Sequence, residues 1–541
     1  MPEGSGLPPD AGFAGRLLSP ERYPHPAPAV ELLETHISWV LLAGDYAYKI
    51  KKPVSLGFVD FSTLASRRFY CEEELRLNRR TAPDLYLAVV PITGTPEEPA
   101  MDGSGEAFEY AVKMRRFPQE ALLDRVARAG ALSAAQVEAF ARSVAAFHAG
   151  VARAGPEGAF GSPPEILAEA VDNFAQLELM DTLGDTREAR QALASWTLRE
   201  YNRLEPLFAR RKHDGFVREC HGDLHLGNVA LLDGLPVAFD AIEFNESFRW
   251  IDVMSEVAFP VMDLVHHGLD GLASRFVDAY LDATGDFAGL GALRFYLVYR
   301  AMVRAKVSCI RAHQPGISPG DRERSAAAYR GHLDLARRLS RPGRPAIVAM
   351  HGLSGSGKTT ISAGLVEALG AVRLRSDVAR KRLRGLEALA RTGSAPGAGL
   401  YAPEVDRDTY GRLASLAREV LDAGYPVVVD AAFLKRAWRG MFRELARGRH
   451  VPFVLAACSA PEEALRERVA RREREGRDAS EAGLAVLERQ VAKLEPLGAD
   501  ELDAAVIVDA QDAGEAVRAA AKSVATRIGV VPGETSRDGP G

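Results

Sequence analysis

Residues 352–359 read GLSGSGKT, one residue, His351, after the apolar run AIVAM at 346–350. A glycine-rich turn between an apolar strand and a helix lets consecutive backbone N–H groups curl around an anion, because glycine tolerates the left-handed backbone that such a turn needs. The match to G-x-x-x-x-G-K-[ST] is complete, through Gly352, Gly357, Lys358 and Thr359. In that pattern Gly352, Leu353, Ser354, Gly355, Ser356 and Gly357 cradle phosphates, with Thr360 just behind. Lys358 reaches the β- and γ-phosphates and neutralises charge as it moves, and the Thr359 hydroxyl takes a Mg²⁺. Outward from the loop, strands and helices alternate: ISAGLVEAL, VRLRSD, LASLAREVLDAG, PVVVDAAF, PFVLAAC and AAVIVDA. Alternation of this kind predicts an α/β fold with a parallel sheet.

The residues beyond the loop favour phosphate transfer over hydrolysis alone. Asp377 and Arg380 lie three apart at a helix start, on one face. Asp377 could accept the proton of an attacking hydroxyl, and Arg380 could hold a substrate anion. Asp430 ends the apolar strand PVVVD, where a carboxylate could serve the metal. Lys435, Arg436 and Arg439 follow in AAFLKRAWR and could meet a ligand, with Arg436 the candidate for substrate. The segment LRERVARREREGRDASEA mixes both charges densely. It reads as a solvated helix with (i, i+4) pairs or as a lid, and the lid reading puts Arg468, Arg471 and Arg477 on the nucleotide phosphates.

A second constellation stands upstream. Residues 221–228 read HGDLHLGN. In H-x-D-x-x-x-x-N the carboxylate, Asp223, can orient and deprotonate a hydroxyl, and Asn228 can place an amide oxygen on Mg²⁺. A hard cation needs a further oxygen ligand, which Asp240 supplies at the end of PVAFD, with Glu243 just behind it. Earlier, YAYKIKK puts Lys49 and Lys51 on one strand face, suited to the α- and β-phosphates. The next helix offers Glu72, Glu73 and Glu74, one of which (Glu74 is the choice here) would pair with the lysine. The strand EYAVKM then runs into an extended segment, Met114 to Phe117, able to offer backbone hydrogen bonds to adenine.

Taken together, residues 30–335 resemble the aminoglycoside phosphotransferase and choline kinase family, relatives of the protein kinases. HGDLHLGN is similar to that family's catalytic loop, and FDAIEFNESFRWIDVMSEVAF to its metal-binding strand and following helix. The resemblance implies a two-lobed α+β fold, with Asp252 supporting the catalytic loop and His148 in a structural place. There are departures: no G-x-G-x-x-G loop is present, Ile242 replaces the glycine of the DFG triplet, and no APE segment is recognisable. These point to a small-molecule kinase. Residues 345–510 resemble P-loop small-molecule kinases such as gluconate kinase, zeta-toxin-type kinases and relatives acting on nucleic-acid ends or nucleotide sugars. The carrying features are S-D-x-x-R at Ser376–Arg380 and the turn DASEA.

Length and composition agree with two soluble domains. The chain has 541 residues, 47% hydrophobic and 26% charged, and a net charge of −5 that gives no footprint for general nucleic-acid binding. Cys71, Cys220, Cys309 and Cys458 lie too far apart for metal-ligand spacing. No signal peptide and no bilayer-spanning run is recognisable, so a cytoplasmic protein is expected. The break SRPGRP at 340–345 divides the chain. The expected organisation is a disordered 1–25, a kinase-like domain at 26–338, a linker at 339–345, a P-loop domain at 346–530 and a disordered tail at 531–541.

The expected function is a bifunctional phosphotransferase that uses ATP and Mg²⁺ and acts on small hydroxyl compounds. Neither a membrane nor nucleic acid is an expected partner. Two alternatives stay open: one domain regulates the other by binding nucleotide, or the P-loop domain phosphorylates nucleic-acid ends.

Overall fold

The computed structural model describes residues 12–56, 59–180, 186–387, 403–475 and 483–529. They form two compact units, the described residues within 1–132, 146–162 and 212–259, and those within 133–145, 163–211 and 260–541. Both expected architectures are present, an α+β kinase-like part and a P-loop part built on a parallel sheet.

The first unit is built on a six-stranded antiparallel sheet. Its spatial order is Val30–Glu34, Ser38–Ala43, Tyr46–Lys51, Ala107–Arg115, Tyr86–Gly94 and Pro99–Met101. The hairpin turns at Gly44, at φ 57°, where a Cβ would lie 2.5 Å from the Pro26 carbonyl oxygen; only glycine fits both demands. Helix Leu64–Asn78 starts on Thr63, whose side chain accepts the Ser66 N–H at 3.1 Å. It buries Cys71 and Leu77 together with the polar Glu74 and Asn78. The helix is therefore held by a charged contact as well as by apolar packing.

The amino-terminal expectation needs correction for residues 12–25. Gly12–Arg16 is a helix, and Ala14 and Leu17 are fully buried in one core cluster with Tyr23, Trp39 and Tyr48. Glycine and proline dominate the composition there, but a few apolar side chains at the right spacing suffice to dock the segment. Residues 1–11 and 530–541 lie outside the described residues.

In the second unit, long helices pack with a five-stranded, fully parallel sheet. Its order is Val372–Arg375, Val427–Asp430, Ile347–His351, Phe453–Ser459 and Ala505–Asp509. The strand preceding the glycine-rich loop is central and buried at all five residues. Strands covered on both faces read as unbroken apolar runs, which is why AIVAM, VVVD and FVLAAC were legible. The order reverses around Ile347–His351, so the carboxyl ends of the strands open a crevice there. The break at 340–345 is not where packing divides: helices from 163–211 and 260–339 belong to the same unit as the sheet. One cause is Asp278 of helix Asp270–Thr284, which binds both the backbone N–H and the guanidinium of Arg373. Among the described residues no helix is long and apolar enough to cross a membrane.

Arg439 is corrected from a ligand contact to a core residue. It is 1% exposed and forms two hydrogen bonds with Glu501, at 2.7 and 2.9 Å, and one with the Phe433 carbonyl at 3.0 Å. Arg439→Ala should destabilise the second unit by about 3–5 kcal/mol, since it strands a buried carboxylate; denaturant midpoints measure this. The pair also has a pH signature. Hydrogen bonding from Arg439 holds the Glu501 carboxyl at about 2, below its ordinary 4.5. A depressed carboxyl contributes stability above its unfolded pKa and loses it as pH falls through the folded one. The gap between wild type and Arg439→Ala should therefore narrow as pH drops from 4.5 towards 2.

Candidate active sites

The first site begins with three acids and two lysines. Glu74 bridges both lysines, its Oε1 2.9 Å from Lys49 Nζ and its Oε2 2.8 Å from Lys51 Nζ. Lys49 Nζ also meets Asp240 Oδ1 at 2.5 Å, and Lys51 meets Glu243. The lysines differ in depth: the Lys49 side chain is 13% exposed and that of Lys51 1%. Burial opposes the charge on Lys49, but Asp240 and then Glu74 hold its pKa well above the ordinary lysine value. Burial likewise works against an ionised Glu74, and the two lysines overcome it and pull its pKa down. Lys49 is thus the outer cation beside Asp240, while Lys51 anchors the cluster from below. Glu72 and Glu73 are occupied elsewhere, Glu72 by Arg68 and Glu73 by Arg76 and Arg249. Glu243 is corrected from a candidate metal ligand to the buried partner of Lys51; burial pushes its carboxyl up.

The loop 221–228 is fastened on every side. Gly222 sits at φ 89°, with the Phe248 carbonyl oxygen 2.7 Å from where a Cβ would be. The N–H groups of His221 and Gly222 both donate to Glu256 Oε1, at 2.7 and 2.8 Å. The other Glu256 oxygen is 2.8 Å from His148 Nε2. Glu256 therefore fastens the loop, and Asp252, one helical turn before it, accepts the Met254 N–H on its Oδ1. His148 keeps its structural place. His221 Nε2 lies 2.8 Å from the Phe239 carbonyl oxygen and so ties the loop to the strand end carrying Asp240. Burial draws the His221 pKa below its ordinary value despite Glu256, so the ring is a neutral strut. Asn228 Nδ2 donates to the Asp223 carbonyl at 2.9 Å and to Asp223 Oδ2 at 3.0 Å, while His225 Nε2 stands 3.5 Å from that carboxylate oxygen.

Asp240 has an unusual backbone, at φ 63°. Its N–H donates to the buried Tyr86 hydroxyl at 3.1 Å, and the next N–H, from Ala241, to Asn78 Oδ1 at 2.8 Å. These two contacts hold the turn that leaves the Asp240 side chain 41% exposed. Tyr86 and Asn78 were not found from sequence, because a tyrosine in a strand and an asparagine at a helix end carry no pattern of their own. Met114 is corrected too. It is 9% exposed and paired on both sides, with Ala47 and Tyr86. The next N–H groups donate to Leu85 and Asp45 carbonyls, so Met114, Arg115 and Arg116 are engaged in the sheet.

His148, Cys220 and Glu256 bring donor atoms within 4.8 Å of one another. Both Glu256 oxygens are committed to N–H groups and His148. The Cys220 thiol, raised by burial, donates to the Ile251 carbonyl at 3.6 Å. The trio is a hydrogen-bonded core. Glu256→Ala should cost about 3–5 kcal/mol, because two buried N–H groups and His148 lose their acceptor together; unfolding of the first unit, followed by tryptophan fluorescence, measures it.

In the second site Gly352, Gly355 and Gly357 adopt φ values of 141°, 83° and 84°. Side chains at the first two would strike the Cys458 and Leu465 carbonyl oxygens, 2.4 and 2.7 Å away. Gln490 Oε1 receives the Ser354 N–H at 2.7 Å, and Lys358 Nζ donates to the Leu353 carbonyl at 2.7 Å. Thr359 and Thr360 are exposed in the first turn of helix Lys358–Leu369. Asp430 is 7% exposed, and its Oδ2 accepts from Ser362 at 3.2 Å. Such a nest of backbone donors at a helix start, with a lysine, a hydroxyl and a carboxylate beside it, fits a magnesium-bound polyphosphate. In the first site Asp240 and Asn228 are likewise hard oxygen donors of the kind Mg²⁺ takes.

The remaining residues divide. Arg468 lies across the loop, donating to the Gly355 carbonyl at 3.3 Å and the Ala510 carbonyl at 2.8 Å. Arg471 is exposed on the same helix, and Arg477 with the DASEA turn falls outside the described residues. Asp377 and Arg380 do face together, 3.0 Å apart, and Arg380 also binds Asp406 at 3.1 Å. Arg436 is paired with Asp500 at 2.9 Å on the surface. Tyr410 and Trp438 stack with ring centroids 4.8 Å apart.

The sequence model of the Phosphotransferase enzyme family matches residues 70–296, and that of the AAA domain matches residues 347–497. Uncharacterized protein Rv2004c of Mycobacterium tuberculosis (strain ATCC 25618 / H37Rv) is 30% identical over 472 residues, which cover 86% of this chain and 90% of that protein. Among solved structures, a gluconokinase from Sinorhizobium meliloti 1021 is 26% identical, with a TM-score of 0.26, over 35% of this chain and 96% of its own. Amicoumacin kinase hAmiN is 15% identical, with a TM-score of 0.37, over 60% of this chain and 92% of its own. The chain belongs to the family of the mycobacterial protein Rv2004c, with a phosphotransferase-family domain followed by a P-loop domain of the AAA type.

Proposed function

We propose that the protein is a bifunctional kinase, each domain moving the γ-phosphate of ATP to a hydroxyl of its own small-molecule acceptor. What supports this reading is that each domain holds a lysine, oxygen donors of the kind a metal takes and a carboxylate able to act as base. These are Lys49, Asp240, Asn228 and Asp223 in one, and Lys358, Thr359, Asp430 and Asp377 in the other. Bound Mg²⁺ would neutralise phosphate charge in either site. Asp223 holds the acceptor hydroxyl and takes its proton, oriented by the Asn228 amide. Asp377 has the same task, with Arg380 fixing its carboxylate. Lys49 and Lys358 stabilise the charge that builds on the transferred group.

ADP formation across a library of hydroxyl compounds tests this in wild type, Asp223→Asn and Lys358→Ala. Each accepted compound should lose turnover with one variant and keep it with the other. An acceptor whose turnover survives both variants would overturn the assignment. Compounds responding to Lys358→Ala alone, with none responding to Asp223→Asn, would leave the first domain as a nucleotide-binding regulator.

A further inference from the structure

Within the second unit, helix Asp270–Thr284 grips strand Val372–Arg375 and helix Ser376–Arg382 through charge. Asp278, 3% exposed, takes the Arg373 N–H at 2.9 Å and its guanidinium at 3.0 Å. Asp282, one turn on, accepts from Arg375 at 3.3 Å, and its carbonyl accepts from Arg382 at 2.6 Å. Beside these contacts lies a cavity of about 200 Å³. Arg375, Arg382 and Arg412 line it with Asp282 as the one carboxylate in the lining, so positive charge is in excess. The ion pair of Arg412 with Glu419 is long, at 3.8 Å. The rest of the lining is largely apolar, with Leu374, Val378, Leu413, Leu416 and Phe287. Burial draws the Arg382 guanidinium below the ordinary arginine range, with Asp282 and then Glu387 opposing and Arg412 adding to the shift, and an anion beside it would relieve that cost.

We propose that this cavity binds a small phosphate monoester, its dianion held by Arg375, Arg382 and Arg412 and its apolar body resting on Leu374, Val378 and Leu416. Guanidinium forks match phosphate oxygens in pairs. The volume suits a compact metabolite and is too small for a nucleoside triphosphate, since sites for larger ligands run from about 300 Å³ upward. The cavity is separate from the acceptor-facing residues of the P-loop domain. Asp377 and Arg380 do not line it, and Arg380 is turned to Asp406. Helix Ser376–Arg382 therefore carries the cavity on one side and the Asp377–Arg380 pair on another, so a ligand in the cavity braces the helix that positions the base.

The test uses the full chain with both nucleotide sites filled by Mg²⁺ and a non-hydrolysable ATP analogue. Calorimetric titration compares phenyl phosphate with inorganic phosphate. Saturable binding is expected, at least about fivefold tighter for phenyl phosphate because of the apolar floor. Arg412→Gln should weaken both by about tenfold or more, through loss of a charge-assisted contact. The Arg412 side chain is 45% exposed, so its replacement leaves the fold intact, and the unfolding midpoint checks this. Arg382→Gln, as a second variant, should weaken binding in the same direction. Absence of saturable binding by wild type at millimolar ligand overturns the proposal, and so does equal affinity in wild type and the two variants, which would place the phosphate in an acceptor pocket instead.

Discussion

Asp223→Asn is expected to lower turnover at the first site by about 10³-fold, within the 10²–10⁴ that a positioned base contributes. The KM for ATP should stay within about threefold, since the substitution removes an interaction made in the transition state rather than nucleotide binding. The geometry singles this carboxylate out. Asn228 donates to Asp223 twice, once to its backbone and once to Oδ2, and His225 stands on the same oxygen. The loop beneath is fixed by Glu256 and His221. An asparagine keeps the shape and loses the basic oxygen, so folding should be unchanged while chemistry fails. Steady-state ADP release with a first-site acceptor measures this. Turnover within threefold of wild type would show that Asp223 is not the base.

Much of this site was legible because its chemistry is local. HGDLHLGN places Asp223 and Asn228 five residues apart, and that spacing alone lets the amide meet the carboxylate. The choice between Lys49 and Lys51 was not legible. Both lie on one strand face, and only the depth of the helix carrying Glu74 makes Lys51 the buried partner and Lys49 the outer one. The part Glu256 plays in holding the loop was not legible for a similar reason. It lies four residues beyond Asp252, and the direction in which the chain enters helix Val253–His266 turns its carboxylate to the loop. The core place of Arg439, which the sequence offers as a ligand contact, was not legible because its partner, Glu501, lies 62 residues further on, and no local pattern reports a contact of that range. In the parallel sheet, by contrast, buried strands are unbroken apolar runs, so alternation with helices sufficed. The Asp377–Arg380 pair was legible from helical spacing, whereas its third member, Asp406, belongs to a helix beyond 388–402 and was not.

Lys358→Ala should lower turnover at the second site by about 10³-fold or more and weaken MgATP binding there, leaving the first site within about twofold. The asymmetry between the two lysines explains why this variant is the cleaner one. Lys49 is locked to Glu74 and Asp240, so removing it exposes two carboxylates to one another and disturbs the cluster. Lys358 donates to the Leu353 carbonyl at 2.7 Å, a hydrogen bond worth about 1 kcal/mol net that it can exchange for phosphate. The glycines that shape the loop are set by collisions with Cys458 and Leu465 rather than by the lysine, so the loop should survive its removal. Lys358→Arg should fail almost as fully, because a planar guanidinium cannot replace a compact ammonium inside a backbone nest. Equal unfolding midpoints for wild type and both variants, with second-site turnover lost, are the expected result. Second-site turnover within threefold of wild type in Lys358→Ala would remove phosphate transfer from this loop.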